Sequence, residues 1–173
     1  MIKPYCLGLL LLFFLQMQVA VADPEAPYEF VETPWKEAEL AVPEFPRDSN
    51  LIEFHVGPTD RNRFFVDGNT LSVGSDGVVR YVLVIKTPGG ATNVSFEGIR
   101  CGTAQIKLYA VSASEGNWSK NRNPQWQAIE NKLINQYRAV LNRNFFCPSG
   151  KPVRTPGEGR NALQRGSHPD ATL

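Results

Sequence analysis

Short runs of alternating apolar and polar residues fill the stretch from residue 51 to residue 111, and clusters of Gly, Pro, Asn or Asp separate them. A period of two is typical of strands with one buried face, and short Gly-rich turns favour antiparallel pairing. The predicted strands are 51–56, 63–66, 71–73, 78–87, 93–99 and 103–111. The pattern predicts an antiparallel meander of five or six strands.

The run VVRYVLVIKT at 78–87 is the strongest strand signal. One face carries Val79, Tyr81, Leu83 and Ile85, and the other carries Arg80, Val82, Val84 and Lys86. Because both faces are largely apolar, we expect the middle of this strand to be covered on two sides. In the last run, Ala104, Ile106, Leu108 and Ala110 alternate with Gln105, Lys107 and Tyr109.

Beyond residue 123 the apolar period becomes 3.6. Asn123 is a favourable N-cap residue, and Pro124 suits the first helical position. The apolar stripe consists of Trp126, Ile129, Leu133, Tyr137, Val140 and Leu141. The sequence therefore predicts one long C-terminal helix at 124–144 that covers the sheet, in a single α+β domain of residues 50–147.

The first 22 residues have the layout of a secretory signal peptide. Lys3 precedes an apolar run, and Ala20-Val21-Ala22 forms a small-residue cleavage site. The apolar run at 7–15 is shorter than the roughly 20 residues of a membrane-spanning helix. We expect cleavage after residue 22, export, and no transmembrane segment in the mature chain.

Cys101 and Cys147 are the cysteines that remain after cleavage. An oxidising compartment favours a disulfide between them, which would connect a turn of the sheet to the end of the predicted helix. The closed loop of about 47 residues corresponds to about 4 kcal/mol in the chain-entropy treatment. Two separate buried thiols are the alternative. A redox-active pair is disfavoured because the CxxC spacing is absent.

Two flanking segments differ from the domain in composition. Residues 23–49 contain five prolines, and eight acidic against two basic residues give them a net charge of −6, whereas residues 50–147 carry +4. We expect an extended acidic arm, with one short helical turn at 35–40, that lies across the domain. The alternative is a free arm that captures another protein. Residues 148–173 are expected to be a flexible tail.

Few residues of the chain suggest catalytic or cofactor chemistry. His55 and His168 are the histidines, and no metal-ligand or cofactor motif accompanies them. Three acids, Glu53, Asp67 and Glu97, could converge in a hydrolase site. Any sheet face exposed to water carries such acids, so an enzyme is disfavoured but stays open. The neutral total charge of the mature chain offers no argument for nucleic-acid binding.

The loop NWSKNRNPQW at 117–126 is the strongest binding candidate. Trp118 and Trp126 flank Lys120 and Arg122, and aromatic and basic side chains together can bind anionic ligands. Alternatively, Trp118 caps the last strand and Trp126 begins the helix, which leaves the two cations in water.

Several segments resemble a known family. They are WKEAELAVPEFPRDSNLIEFHVGPTDRNRFFVD, LSVGSDGVVRYVLV, NVSFEGIRC, KLYA, WSKNRNPQW and FFCPSG. In this order, over about residues 35–165, they resemble the CNP-one-like family of exported Gram-negative proteins. The resemblance implies a periplasmic or envelope location and carries over no activity and no catalytic residues; Cys101 and Cys147 fall on its two cysteine-containing segments.

We therefore expect a periplasmic, non-enzymatic binding or interaction module without a cofactor, whose partner is an envelope protein or an anionic envelope component. The alternatives are a periplasmic hydrolase with scattered carboxylates and a structural envelope factor that acts through its acidic arm.

Overall fold

The computed structural model describes residues 34–114 and 116–171. The predicted signal peptide and residues 23–33 of the arm lie outside the described residues. From Trp35 onward the chain forms one compact unit. That unit therefore includes the described arm and the expected tail as well as the predicted domain.

The described residues form one antiparallel sheet of eight strands. These are β1 Leu51–Phe54, β2 Arg63–Asp67, β3 Ser72–Val73, β4 Val78–Lys86, β5 Thr92–Arg100, β6 Gln105–Ser114, β7 Asn117–Lys120 and β8 Gln127–Ala128. The order β1-β2-β4-β5-β6-β7 is a meander, while β3 also pairs with β4 and β8 with β6. The predicted antiparallel meander is confirmed. The strand count is corrected to eight, because β7 and β8 lie where a loop and a helix start were expected.

The sheet separates two apolar clusters, as the double-faced pattern of β4 predicts. Val79, Tyr81 and Leu83 lie in the larger cluster on the face that carries the helices, which we call the helix face. Val82 and Val84 lie in a smaller cluster on the opposite face, which we call the arm face.

A β-bulge in β6 changes which residues share a face. Phe96 pairs with Ala110 and Glu97 with Leu108, so Tyr109 has no partner on β5. The extra residue reverses the alternation beyond it. Ile106 therefore belongs to the helix face and Ala110 to the arm face. The prediction that both share one face is wrong.

The predicted long helix is replaced by a shorter helical segment. Gln127–Ala128 pairs with the start of β6, and the Ile129 N–H donates to the Ala104 carbonyl at 2.9 Å. Helical structure begins only at the 3-10 turn Leu133–Asn135, continues as α1, Gln136–Val140, and ends as a π-helical stretch, Leu141–Phe146. The helix predicted from the apolar stripe is too long because its first members have other partners. Ile129 bonds to the sheet and Trp126 contacts the arm.

The predicted disulfide joins the two layers. Cys101 begins the 3-10 turn Cys101–Thr103 between β5 and β6, and Cys147 follows the π-helical stretch. The Cα atoms of Cys101 and Cys147 are 5.3 Å apart, and both residues are buried in the helix-face cluster. The bond fixes the end of the helical segment to one end of the sheet.

The described part of the arm packs across the arm face. Val42 and Phe45 contact the smaller apolar cluster, and the Trp118 indole N–H donates to the Pro43 carbonyl at 3.0 Å. Residues 35–40 contain no helical turn, contrary to expectation; the arm's 3-10 turn is Asp48–Asn50. Since Pro43 and Pro46 lack an N–H, an extended conformation held by side chains suits this sequence.

The expected flexible tail is corrected to a folded C-terminal segment. It contains α2, Pro156–Arg165, whose Ala162 and Leu163 are buried with Val153 in the helix-face cluster. Low apolar content suggested disorder, but three well-placed apolar residues are enough to bury one side of a ten-residue helix.

Local hydrogen bonds explain where α2 begins and how it is held. Thr155 Oγ1 accepts from the Glu158 N–H at 3.1 Å, and Glu158 accepts from the Arg154 N–H at 2.7 Å, in the manner of a capping box. The imidazole of His168, which is 5% exposed, lies 3.0 Å from the Glu158 carboxylate. His168 is thus a buried structural group here and not part of a loose tail.

Among the described residues, no helix combines the length and hydropathy that crossing a membrane requires.

Candidate functional site

Of the four predicted binding residues, the two tryptophans contact the arm and the two cations are exposed to solvent. Trp118 lies in β7, and its ring centroid is 5.4 Å from that of Phe45. Trp126 contacts the beginning of the described arm instead. Lys120 and Arg122 are exposed. The two tryptophans therefore hold different parts of the arm, while the two cations face water.

The carboxylate of Glu37 is held by a group of side chains that we call the cradle, formed by Arg80, Lys107, Tyr109 and Trp126. Lys107 Nζ donates at 2.7 Å, the Tyr109 hydroxyl at 2.8 Å and Trp126 Nε1 at 3.2 Å. Burial favours a higher pKa for Glu37, but the hydrogen bonds from Lys107 and Tyr109 outweigh it, so the pKa is lowered. The cradle stabilises a charged carboxylate.

A buried ion pair lies beside the cradle carboxylate. The Arg80 side chain is 1% exposed and the Asp76 side chain 3%, and the guanidinium contacts both carboxylate oxygens. Burial favours a higher pKa for Asp76, but hydrogen bonds from Arg80 and the Ala38 N–H lower the pKa to about 2. Arg80 Nη2 is also 4.0 Å from Glu37, so the same cation faces an acid of the sheet and an acid of the arm.

Aromatic contacts complete the arm attachment. The Arg100 guanidinium lies 3.8 Å from the Trp35 ring centroid, and the Trp35 ring meets that of Trp126 edge-on at 5.9 Å. The Trp35 indole N–H donates to the Asp76 carbonyl at 2.8 Å. The arrangement recognises an aromatic ring and a carboxylate two residues apart in one extended segment.

A second feature is a cleft of about 1110 Å³, which we call the sheet cleft. On the helix face its lining comprises Ile85, Asn93, Ser95, Glu97, Leu108 and Val111 from the sheet, with Tyr137 and Arg138 from α1. The lining continues on the arm face with Phe45, Pro46, Leu51, Val84 and Val94, so the volume is shared between the two faces of the sheet. Val111 is 40% exposed, so an apolar side chain faces solvent in this lining.

Glu97 and Arg138 form an ion pair in the lining of the sheet cleft. Arg138 Nη2 donates to Glu97 at 2.8 Å, and Glu97, 1% exposed, also accepts from Tyr81 and Ser95. Burial and the nearby Glu97 charge raise the pKa of the Tyr137 phenol, which therefore stays protonated at neutral pH. The cleft thus offers hydroxyl and amide groups without a net charge from this pair.

The three acids considered for hydrolysis have separate partners. Glu53 is paired with Arg63 at 2.8 Å, Asp67 accepts from the Asn69 N–H at 2.9 Å, and Glu97 is bound to Arg138. Glu97 lines the sheet cleft, whereas Asp67 lines a different one. In the described part of the chain, no group of three or more His, Cys, Asp and Glu is placed to hold a metal ion.

Glu37 and Lys107 are functional candidates that were not predicted from the sequence. A usable signal existed, because a cation at position 80 interrupts the apolar run at 78–85 and an acidic arm precedes the sheet. The alternation along β6 already places Lys107 and Tyr109 on one face. The missing information was the contact with Glu37, which lies 70 positions before Lys107 in the chain.

Comparisons with known proteins give a consistent result. The model of the CNP1-like family matches residues 30–164. The chain is 27% identical over 150 residues to "Cryptic neisserial protein 1" of Neisseria gonorrhoeae (strain ATCC 700825 / FA 1090), covering 77% of this chain and 73% of that protein. No solved structure matches the chain.

Proposed function

The chain belongs to the CNP1-like family, and from this premise and the geometry above we infer that it is an exported, non-catalytic binding module whose ligand site is the sheet cleft. The observation that carries the proposal is the helix-face part of this cleft, where the partly exposed Val111 lies beside a few fixed polar groups. Ligand sites for small molecules combine an apolar surface with a small number of placed polar groups.

The charges that line the cleft favour an uncharged amphipathic ligand. Glu97 and Arg138 neutralise each other, and Lys86 at the rim is paired with Asp48 at 3.0 Å. A ligand charge would therefore find no free opposite charge in these pairs. The apolar part of a ligand would rest on Val111 and neighbouring apolar side chains, and its polar groups would reach the amide and hydroxyls of the lining.

A neutral fluorescent amphiphile, N-phenyl-1-naphthylamine, tests this proposal. We expect a saturable increase in its fluorescence with the wild-type protein. Val111→Arg places a long charged side chain in the cleft, so the apparent Kd should rise by about tenfold because burying that charge opposes binding. Competition by unlabelled neutral amphiphiles would then rank the ligand chemistry.

The matched control is Ile134→Arg. Ile134 is 83% exposed and is not part of the cleft lining, so the same type of substitution should leave binding unchanged. Far-UV circular dichroism and urea denaturation check that both variants are folded. Equal binding by wild type and Val111→Arg would contradict the sheet cleft as the ligand site.

Export to the periplasm is part of the same proposal. Its support is the signal-peptide pattern of residues 1–22 and the disulfide between Cys101 and Cys147, a bond favoured outside the cytoplasm. Intact-mass spectrometry of material from fractionated Gram-negative cells should find a chain that begins at Asp23 in the periplasmic fraction. An uncleaved chain in the cytoplasm would contradict export.

A further inference from the structure

We propose that the cradle is a receptor for an acidic segment of a partner protein with an aromatic residue two positions before a glutamate, and that the chain's own arm occupies this receptor as a competitor. The cradle lies at the start of the described arm and shares no residue with the lining of the sheet cleft. The proposal is therefore independent of the proposed ligand site.

The sheet side supplies the recognition groups. Lys107 and Tyr109 lie in β6, and Trp126 immediately precedes β8, so all three donors to Glu37 are positioned by the sheet. Asp76 neutralises Arg80 within the sheet, but Lys107 has its 2.7 Å ion pair with the arm. When Glu37 leaves, a cation and two neutral donors stay clustered and retain a requirement for a carboxylate.

The second observation concerns Arg80, the cation beside the Glu37 carboxylate. Arg80 Nε has no hydrogen-bond partner among the described residues, although the side chain is 1% exposed. The large majority of buried side-chain polar atoms have a hydrogen-bond partner. The Glu37 carboxylate is 4.0 Å from Arg80 Nη2, beyond hydrogen-bonding distance, so the arm pairs with this guanidinium only as a loose ion pair.

Only residues 35–40, which we call the anchor segment, need to leave the receptor. Trp35 is 38% exposed and Leu40 is 42% exposed, so this segment is not part of a sealed core. Phe45 and Val42 pack against the arm-face cluster instead. Release of the anchor segment can therefore leave the apolar cover of the sheet in place.

The tether sets the condition for exchange. The anchor segment is joined to β1 by about ten residues, and such tethers give effective concentrations in the millimolar range. A free peptide with the same contacts would displace it only near that concentration. A partner must make additional contacts, for example with the exposed Lys120 and Arg122 beyond Trp118.

The probe is a fluorescein-labelled peptide with the sequence of residues 34–41, PWKEAELA. It is titrated with the wild-type protein and with the double variant Trp35→Ala/Glu37→Gln, which weakens the anchor segment without changing the cradle. Fluorescence polarisation should show at least about tenfold tighter binding to the double variant, because the tethered competitor is removed. The peptide carrying Glu37→Gln should bind the double variant with about tenfold lower affinity, because the carboxylate that the cradle binds is missing.

Glu44→Gln is the matched protein control, since Glu44 is an exposed acid of the arm outside the cradle. It should bind the peptide as the wild type does. Adding Lys107→Glu to the double variant should abolish binding, and circular dichroism checks folding. The proposal is overturned if the double variant binds no more tightly than wild type, or if the two peptides bind it equally. A wild-type dimer that dissociates on Glu37→Gln would assign the receptor to a second copy and overturn a foreign partner.

Discussion

The ion pair between Arg80 and Asp76 should be unusually sensitive to the loss of one partner. Asp76→Asn keeps the size of the side chain in the hairpin turn but removes its charge. The Arg80 guanidinium, 1% exposed, then keeps only its 4.0 Å ion pair with Glu37. Removing one partner of a buried pair costs about 3–5 kcal/mol, and the remaining acid favours the lower end. With a urea dependence of about 2 kcal/mol per molar, the unfolding midpoint should fall by about 1.5 M.

Two further variants separate this explanation from a general effect of losing a carboxylate. Glu53→Gln removes an acid whose ion pair is exposed: the Glu53 side chain is 37% exposed and that of Arg63 is 63% exposed. The free energy of unfolding of this variant should therefore change by less than about 1 kcal/mol. Adding Arg80→Met to Asp76→Asn removes the uncompensated buried charge and should recover part of the lost stability. The reasoning is refuted if Asp76→Asn lowers the free energy of unfolding no more than Glu53→Gln does. It is also refuted if the losses caused by Asp76→Asn and Arg80→Met simply add in the double variant.

Three other predictions follow from the described contacts. Reducing the bond between Cys101 and Cys147, 46 residues apart, should lower the free energy of unfolding by about 4 kcal/mol, measured by urea denaturation with and without reductant. Because the pKa of Asp76 is depressed in the folded state, its contribution is present above about pH 4 and is lost as the pH falls towards about 2; a pH series should show this loss in wild type and not in Asp76→Asn. Gly98→Ala places a Cβ 2.8 Å from the Tyr109 ring and should cost about 1–3 kcal/mol, whereas Gly102→Ala meets no atom within 4 Å and should be nearly neutral.

Local pattern predicted the sheet well, because each signal was confined to one strand and its turn. The alternation of Val79, Tyr81 and Leu83 identified the helix face, and the Gly-rich turns identified the antiparallel order. The bulge at Tyr109 escaped prediction, because the extra residue is visible only when the partner strand is in place.

The helix was overestimated because a residue on an apolar stripe can have a distant partner. Trp126 fits the 3.6 period, but its indole donates to Glu37, 89 positions earlier in the chain. The C-terminal helix was missed for the opposite reason. Its capping signal, Thr155 followed by Glu158, was in the sequence, but the polar composition of the surrounding segment outweighed it.

The predicted binding loop and the cradle have Trp126 in common. Trp126 was identified as part of a basic and aromatic surface, and the structure surrounds it with Lys107 and Tyr109. The carboxylate that meets this surface is the chain's own Glu37. Contacts that join residues 70 or more positions apart are fixed by the tertiary fold, so composition alone does not specify them.

The two covers of the sheet differ in how they can be released. Val82 and Val84 are 0% and 2% exposed on the arm face, and leaving such side chains in water costs about 1.5–3 kcal/mol each, so the sheet requires a cover there as well as on the helix face. The helical cover is fixed to the sheet by the disulfide at Cys101, whereas the described contacts of the arm with the sheet are noncovalent. A partner that reaches the sheet of the oxidised protein therefore gains access most easily on the arm face, where the anchor segment can detach before the apolar cover does.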